Sequence, residues 1–161
     1  MTKILRYWLP VVAWVGLISL FSTDIFHAGL TYRVLRAVLL FFAPGLDPQT
    51  IHLVHTVIRK LAHVSEYFVL TFLLYRAFRQ EASTDRHGRW ALLSLAVAVG
   101  MAALDEFHQR FEPHRTGSIL DVGIDGLGVL IAQVVVRWQH RRGRPSPGSA
   151  RGLPVQSATL K

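Results

Sequence analysis

The chain places its acidic residues and histidines at the ends of three apolar segments, where a membrane would make charge costly. If consecutive segments cross in opposite directions, the three polar clusters meet on one side. An isolated charge at membrane depth costs roughly 3 kcal/mol or more, so such residues predict a functional site. In chain order the clusters are Lys60, His63 and Glu66; Asp105, Glu106, His108 and Gln109; and Asp121 and Asp125.

The composition favours a membrane protein over a soluble one. Hydrophobic residues make up 51% of the 161 residues and charged residues 17%, whereas a typical soluble domain is roughly 25% charged. The net charge of +8 comes from Lys and Arg that flank the apolar segments, so membrane topology and anionic lipid explain it without nucleic acid. The absence of cysteine excludes disulfides and thiolate chemistry.

Segment lengths predict an all-α polytopic bundle of about four transmembrane helices plus one amphipathic or re-entrant helix. The four predicted spans are 7–21, 61–75, 90–104 and 119–136. The run 30–43 is interrupted by two arginines three residues apart, which suits a helix lying in the membrane interface. A turn at 44–48 precedes a second short helical stretch that begins at Gln49.

Two domain assignments follow from this segmentation. Residues 1–140 form the predicted transmembrane domain. The basic tail 141–161 is rich in Pro, Gly and Ser and is predicted to be disordered.

Lys and Arg residues predict the orientation. Alternating spans bring the N-terminus, the 76–89 loop and the C-terminal tail to one face, together with 12 of the 18 Lys and Arg residues. The positive-inside rule makes that face cytoplasmic, so both termini are predicted to be cytoplasmic and the polar clusters to open outward.

Helical periodicity predicts which polar side chains share a face. At 100° per residue, Lys60, His63 and Tyr67 fall on one stripe, with Glu66 beside them. Asp105 and Gln109 face together on the next span. On the last span, Asp121, Asp125 and Gly128 share a stripe, and the glycine would let a neighbouring helix approach closely beside the acids.

The three polar clusters also carry a family resemblance. The patterns K-x-x-H-x-x-E-Y at 60–67, D-E-x-H-Q-x-F-x-P-x-R at 105–115 and D-x-x-x-D-G-x-G at 121–128 resemble those of the VanZ-like family of small multi-pass bacterial membrane proteins. The resemblance covers roughly residues 21–131 and implies a location in the bacterial cytoplasmic membrane. It also implies a connection with resistance to the glycopeptide teicoplanin, with which the founding member is associated.

Matched residue by residue, the family's characteristic polar positions fall on Lys60, His63, Glu66, Tyr67, Asp105, Glu106, His108, Gln109, Arg115 and Asp121. Two positions depart from the family pattern. His114 stands where the family commonly has Gly, and Asp125 stands where it commonly has Asn. The second departure adds a carboxylate and so favours cation binding.

One hypothesis is an outward-facing site that binds an anionic group of an envelope lipid or a lipid-linked cell-wall precursor. Arg115 would engage phosphate or carboxylate by a bidentate fork and Lys60 as a point charge. His63, Tyr67 and Gln109 would orient the ligand. The acids would hold the basic residues in place.

Two other hypotheses stay open at the level of the sequence. The site could be an enzyme that uses acid–base groups, for which the candidates are His63, Glu66, Asp105, Glu106, His108 and Asp121. A divalent cation held by Glu106, Asp121 and Asp125 could instead polarise a phosphoryl oxygen. In the third hypothesis the polar residues serve only helix packing in an assembly or partner-binding protein.

Overall fold

A computed structural model describes residues 3–22, 28–80, 86–110 and 119–142. Within these ranges the chain is helical, with five α-helices and no β-strand. The predicted all-α class is therefore confirmed. The helices are α1 (Lys3–Phe21), α2 (Ala28–Phe42), α3 (Pro48–Arg79), α4 (His87–Gln109) and α5 (Ile119–Arg142). The predicted disordered tail begins within the end of α5, and its residues 143–161 lie outside the described ranges.

Helix α3 is longer than the sequence patterns predicted. The predicted turn is present at Pro44 and Gly45. The stretch from Gln49 and the span 61–75, however, belong to one continuous helix of 32 residues, about 48 Å long at 1.5 Å per residue. It begins where the Asp47 side chain accepts hydrogen bonds from the backbone N–H and the hydroxyl of Thr50, at 2.9 and 2.6 Å. Pro48 suits the first helical turn because it has no N–H to satisfy there.

The contacts between helices show their relative directions. Ser22, directly after α1, reaches Asp105 near the end of α4, and His63 of α3 reaches Asp125 of α5. These contacts show that α1 and α4 run in one direction and α3 and α5 in the opposite direction. The two ends of the bundle differ in the residues that gather there. We call the end around Ser22, His63, Asp105 and Asp125 the carboxylate end. We call the opposite end, around Tyr7, Arg76, Arg79, His87 and His140, the arginine end.

Small residues allow the central helices to pack closely. A Cβ atom added to Gly128 would overlap the backbone oxygen of Val64, so α5 lies directly against α3 at this point. The close approach predicted for Gly128 is therefore present. Ala98 and Ala102 supply the matching buried face of α4. Small side chains let helix backbones approach, which is how helices associate where apolar burial gives no advantage.

The bundle buries several polar and charged side chains within its apolar core and exposes large apolar side chains on its outside. Leu120 and Val134 are 78% and 68% exposed, whereas Asp125 on the same helix is 1% exposed. A soluble protein shows the opposite preference, so this distribution fits an apolar surrounding. In the described part of the chain, two helical segments are long and apolar enough to cross a membrane, Ile4–Phe21 and His87–Gln109. The predicted four-span arrangement stays a prediction.

The short helix α2 packs on the part of α3 that precedes the predicted span. Thr31 Oγ1 and His55 Nε2 are 2.9 Å apart, and the Tyr32 ring contacts both His52 and His55 edge-on. The outer side of α2 carries exposed Phe41. The amphipathic helix predicted for 30–43 is thus present over Ala28–Phe42, attached to α3 by its polar and aromatic side.

Candidate functional site

An imidazole–carboxylate pair lies where α3 and α5 approach most closely. His63 Nδ1 is 3.2 Å from Asp125 Oδ1, and the aspartate side chain is 1% exposed. The glycine at 128, one helical turn further along α5, removes the side chain that would otherwise separate the two helices. A buried carboxylate needs such a partner, and it fixes the orientation of the ring.

A second carboxylate is held by two neutral donors. The Ser22 hydroxyl donates to Asp105 Oδ1 at 2.8 Å, and the Gln109 amide donates to Oδ2 at 2.9 Å. Gln109 lies one turn after Asp105 on α4, so the shared face predicted from periodicity is present. Both oxygens of Asp105 are therefore fixed.

Tyr67 is buried near both of these groups. Its side chain is 1% exposed and lies within electrostatic reach of Glu66, Asp105, Glu106 and Asp125. Glu106 is also buried, at 3% exposure. The backbone oxygen of Glu66 accepts a hydrogen bond of 3.0 Å from Trp14 Nε1, which ties α1 to α3 at this level. The carboxylate end is thus a concentration of acids around one buried phenol.

Three clefts open beside this cluster, and His63 borders two of them. One of about 200 Å³ is lined by Thr56, Arg59, Lys60, His63 and Asp121. A second of about 270 Å³ lies on the other side of Arg59 and His63 and reaches Glu66 and Ser22. The third, of about 370 Å³, runs between α1 and α4 past Tyr67, Asp105 and the otherwise exposed His108. The first cleft therefore brings two cations, Arg59 and Lys60, next to His63, whose imidazole can transfer protons.

The structure brings most of the predicted site residues to one end of the bundle. Arg115, predicted to grip an anion and to reach one of the acids, lies outside the described residues. Within the described ranges, no three His, Asp or Glu side chains are grouped closely enough to hold a metal ion. The metal set Glu106, Asp121 and Asp125 stays a prediction, and Asp125 is paired with His63.

Sequence reasoning overlooked Ser22 and Arg59 as site residues. Ser22 follows the first apolar segment with no charged neighbour before Asp24, so it looked like part of a loop. Arg59 is one of the six Lys and Arg residues outside the predicted cytoplasmic face, so the charge count gives it no role in a site, although it lines two clefts. One signal was available for Arg59. It lies four residues before His63, on the same helical face.

Fold and site together describe a helical bundle with buried charged groups at one end and two helices that are apolar enough to cross a membrane. The chain matches the family described as VanZ/LLP1 over residues 7–140. It belongs to that family, as the three sequence patterns indicated. Comparison with curated proteins and with solved structures gives no match.

Proposed function

We propose that the carboxylate end binds an anionic group, phosphate or carboxylate, of an envelope lipid or lipid-linked cell-wall precursor. The observation that carries this proposal is the cleft in which Arg59 and Lys60 lie beside the His63–Asp125 pair. Two adjacent cations outnumber the one carboxylate of the cleft, Asp121, and attract an anion, and the ring presents a further polar group. Binding of a cell-wall precursor would also account for the role in glycopeptide resistance that the family resemblance implies.

The site's location favours a lipid-linked ligand over a soluble one. Apolar side chains surround it on the outer face of the bundle, including Leu61 and Leu104, which are 59% and 64% exposed. An acyl or isoprenoid chain can lie against such residues while its head group reaches the cleft. A free anion would gain nothing from them.

The proposal includes four membrane spans, formed by α1, α3, α4 and α5, in the bacterial cytoplasmic membrane. The arginine end would face the cytoplasm, so both termini lie inside and the carboxylate end opens outward. Reporter fusions after Arg79 and after Asp47 test this orientation. An external signal from the first or a cytoplasmic signal from the second contradicts it.

A second candidate function is chemical modification of the bound lipid. The pairing of His63 with buried Asp125 favours it, since a carboxylate that orients an imidazole is the arrangement used for general acid–base catalysis. The imidazole would take a proton from a substrate hydroxyl or a water molecule and return it to the leaving group. Glu66, Glu106 and His108 stay as further acid–base candidates around the clefts.

The competing hypothesis is that the polar residues only hold the helices together. Lys60→Gln separates the two, because Lys60 is exposed on α3 and its loss should leave the fold intact. We expect ligand binding to weaken about tenfold, the effect of losing one charge-assisted hydrogen bond. Arg36→Gln on α2 is the matched control, since it removes an exposed cation outside the clefts.

The readouts are teicoplanin susceptibility in a sensitised bacterial host and retention of a labelled envelope lipid by purified protein. Detergent-extracted protein is quantified alongside. Full function of Lys60→Gln at normal abundance, or equal losses in Lys60→Gln and Arg36→Gln, would contradict the proposed binding site.

Two further variants extend this test to the predicted residues Arg115 and Asp121. Arg115→Lys keeps the charge but loses the fork of parallel donors, so function should fall while abundance is kept. Asp121→Asn removes the charge of a half-buried group in the cleft and should abolish activity if the site is catalytic. If both variants fail only because the protein disappears, the packing hypothesis gains.

A further inference from the structure

A separate recess lies at the arginine end, on the far side of the bundle from the proposed site. It has a volume of about 380 Å³ and lies between the start of α1 and the ends of α3 and α5. Its lining consists of Tyr7, Phe72, Tyr75, Arg76, Arg79, Gln80 and Gln139. From this lining we infer a second binding site, which takes the phosphate group of an anionic membrane lipid. This inference goes beyond the function proposed above.

The lining is complementary to an anion. It contains two guanidinium groups and, within the described ranges, no carboxylate. Arg76 and Arg79 are three residues apart on α3, so their side chains lie on neighbouring positions of one helix face. Each can offer parallel N–H donors to phosphate oxygens. The described lining of the recess therefore has the donors for one phosphate and no carboxylate that competes for them.

Neighbouring aromatic groups position the two arginines. The Arg76 guanidinium lies over the Tyr7 ring, 5.2 Å from its centroid. Tyr75, which also lines the recess, has its hydroxyl 2.5 Å from His87 Nδ1, so α4 anchors this wall. Gln80 adds a side-chain amide to the lining, and its NH₂ group can donate to a phosphate oxygen. A phosphate would meet arginines that are already partly ordered, which lowers the entropic cost of binding.

The surroundings of the recess favour a lipid over free phosphate. Phe72 forms part of its floor, and exposed Leu5 and Leu9 lie on the adjoining helix α1. A phosphate carried by a lipid can place its head group on the arginines and its acyl chains along this apolar surface. Binding of a lipid phosphate also accounts for the position of these arginines where α1 and α3 meet, at the end of the helices.

Native mass spectrometry of the full-length protein, released from nanodiscs of phosphatidylcholine with one-fifth phosphatidylglycerol, tests the inference. The wild-type protein should retain phosphatidylglycerol in preference to phosphatidylcholine. Arg76→Gln and Arg79→Gln should each lower that preference about tenfold. The matched control is Arg137→Gln, which removes an exposed charge from the same end of the bundle outside the recess.

Three outcomes decide the matter. Loss of the preference in the two recess variants with retention in Arg137→Gln supports the inference. Equal loss in all three variants shows a diffuse surface-charge effect and overturns it. A parallel titration with inorganic phosphate that displaces the lipid at equal concentration overturns the assignment to a lipid. Thermal stability of each variant in detergent verifies that the fold is unchanged.

Discussion

The two ends of the bundle hold charge in different ways. At the carboxylate end, Asp125 and Glu106 are almost fully buried, and Asp105 is fixed by donors from two helices. At the arginine end, Arg76 and Arg79 are exposed, and the Arg76 guanidinium lies over the Tyr7 ring. Among the described residues, every carboxylate lies in or beyond the carboxylate end.

The difference follows from side-chain length. An aspartate places its charge two bonds from the backbone, so a charge inside the bundle must be satisfied by neighbouring helices. An arginine has a long apolar stem and can carry its charge back to water. The carboxylate end must therefore be assembled accurately, whereas the arginine end tolerates change. Four experiments test the more demanding side of this comparison, the contacts that hold the carboxylate end and its helices, from the largest expected effect to the smallest.

Gly128→Val should have the largest effect on stability. The new side chain would overlap the backbone of Val64, which cannot move without displacing α3. We expect a loss of about 3 kcal/mol or failure to accumulate. Gly126→Ala is the control, because a Cβ there meets nothing within 4 Å and improves helix propensity. Thermal unfolding in detergent measures both, and similar melting temperatures would disprove the close approach.

The His63–Asp125 pair should show strong coupling in a double-mutant cycle. Asp125→Asn removes the charge that faces the imidazole at 3.2 Å and should cost about 2 kcal/mol. His63→Asn should lower the stability of the Asp125→Asn variant much less than it lowers that of the wild-type protein. The difference between the two losses, the coupling energy, should be about 1 kcal/mol. Asp121→Asn, on the same helix but half-buried, should change stability by less than about 0.5 kcal/mol. Additive effects at 63 and 125 would show that the pair does not form.

Gln133→Leu tests the polar bridge between the two ends. The Gln133 amide donates to Ala91 O at 2.8 Å and to Ser94 Oγ at 3.1 Å, which joins α5 to α4. Interhelical bonds of this kind contribute about 0.6 kcal/mol on average, so we expect a loss near that value. In a Ser94→Ala background the loss should shrink. An unchanged loss would mean that the bridge to Ser94 contributes nothing.

Asp47→Ala should have only a local effect, since this carboxylate is exposed and caps α3. Hydrogen bonds from Thr50 lower the pKa of Asp47 below its ordinary value. The cap is therefore present above that ordinary pKa and is lost as the pH falls through the lowered one. Hydrogen exchange at the Thr50 amide should accelerate in Asp47→Ala but not in Asp47→Asn, which keeps a capping oxygen. Equal rates in all three proteins would show that the cap is not used.

The sequence predicted the helices better than their ends. Apolar length and period located four of the five helices, and the arginine-interrupted run located α2. Continuity across 48–79 was missed because Lys60 and Arg59 interrupt the apolar pattern, although neither breaks a helix. The hydrogen bond between Gln109 and Asp105 was predictable because both residues lie on one helix. The hydrogen bond between Ser22 and Asp105 was not predictable, because these residues lie 83 positions apart in the chain.

By itself, the sequence determined the all-helical class, the family and the residue types that gather at the carboxylate end. Those features depend on local periodicity and on motif spacing, both of which can be read from the order of residues alone. Only the tertiary structure decided that Asp125 pairs with His63 and that two arginines share a recess with Tyr7. Such contacts depend on the rotation of each helix about its axis, and packing of small residues such as Gly128 against a neighbouring backbone sets that rotation.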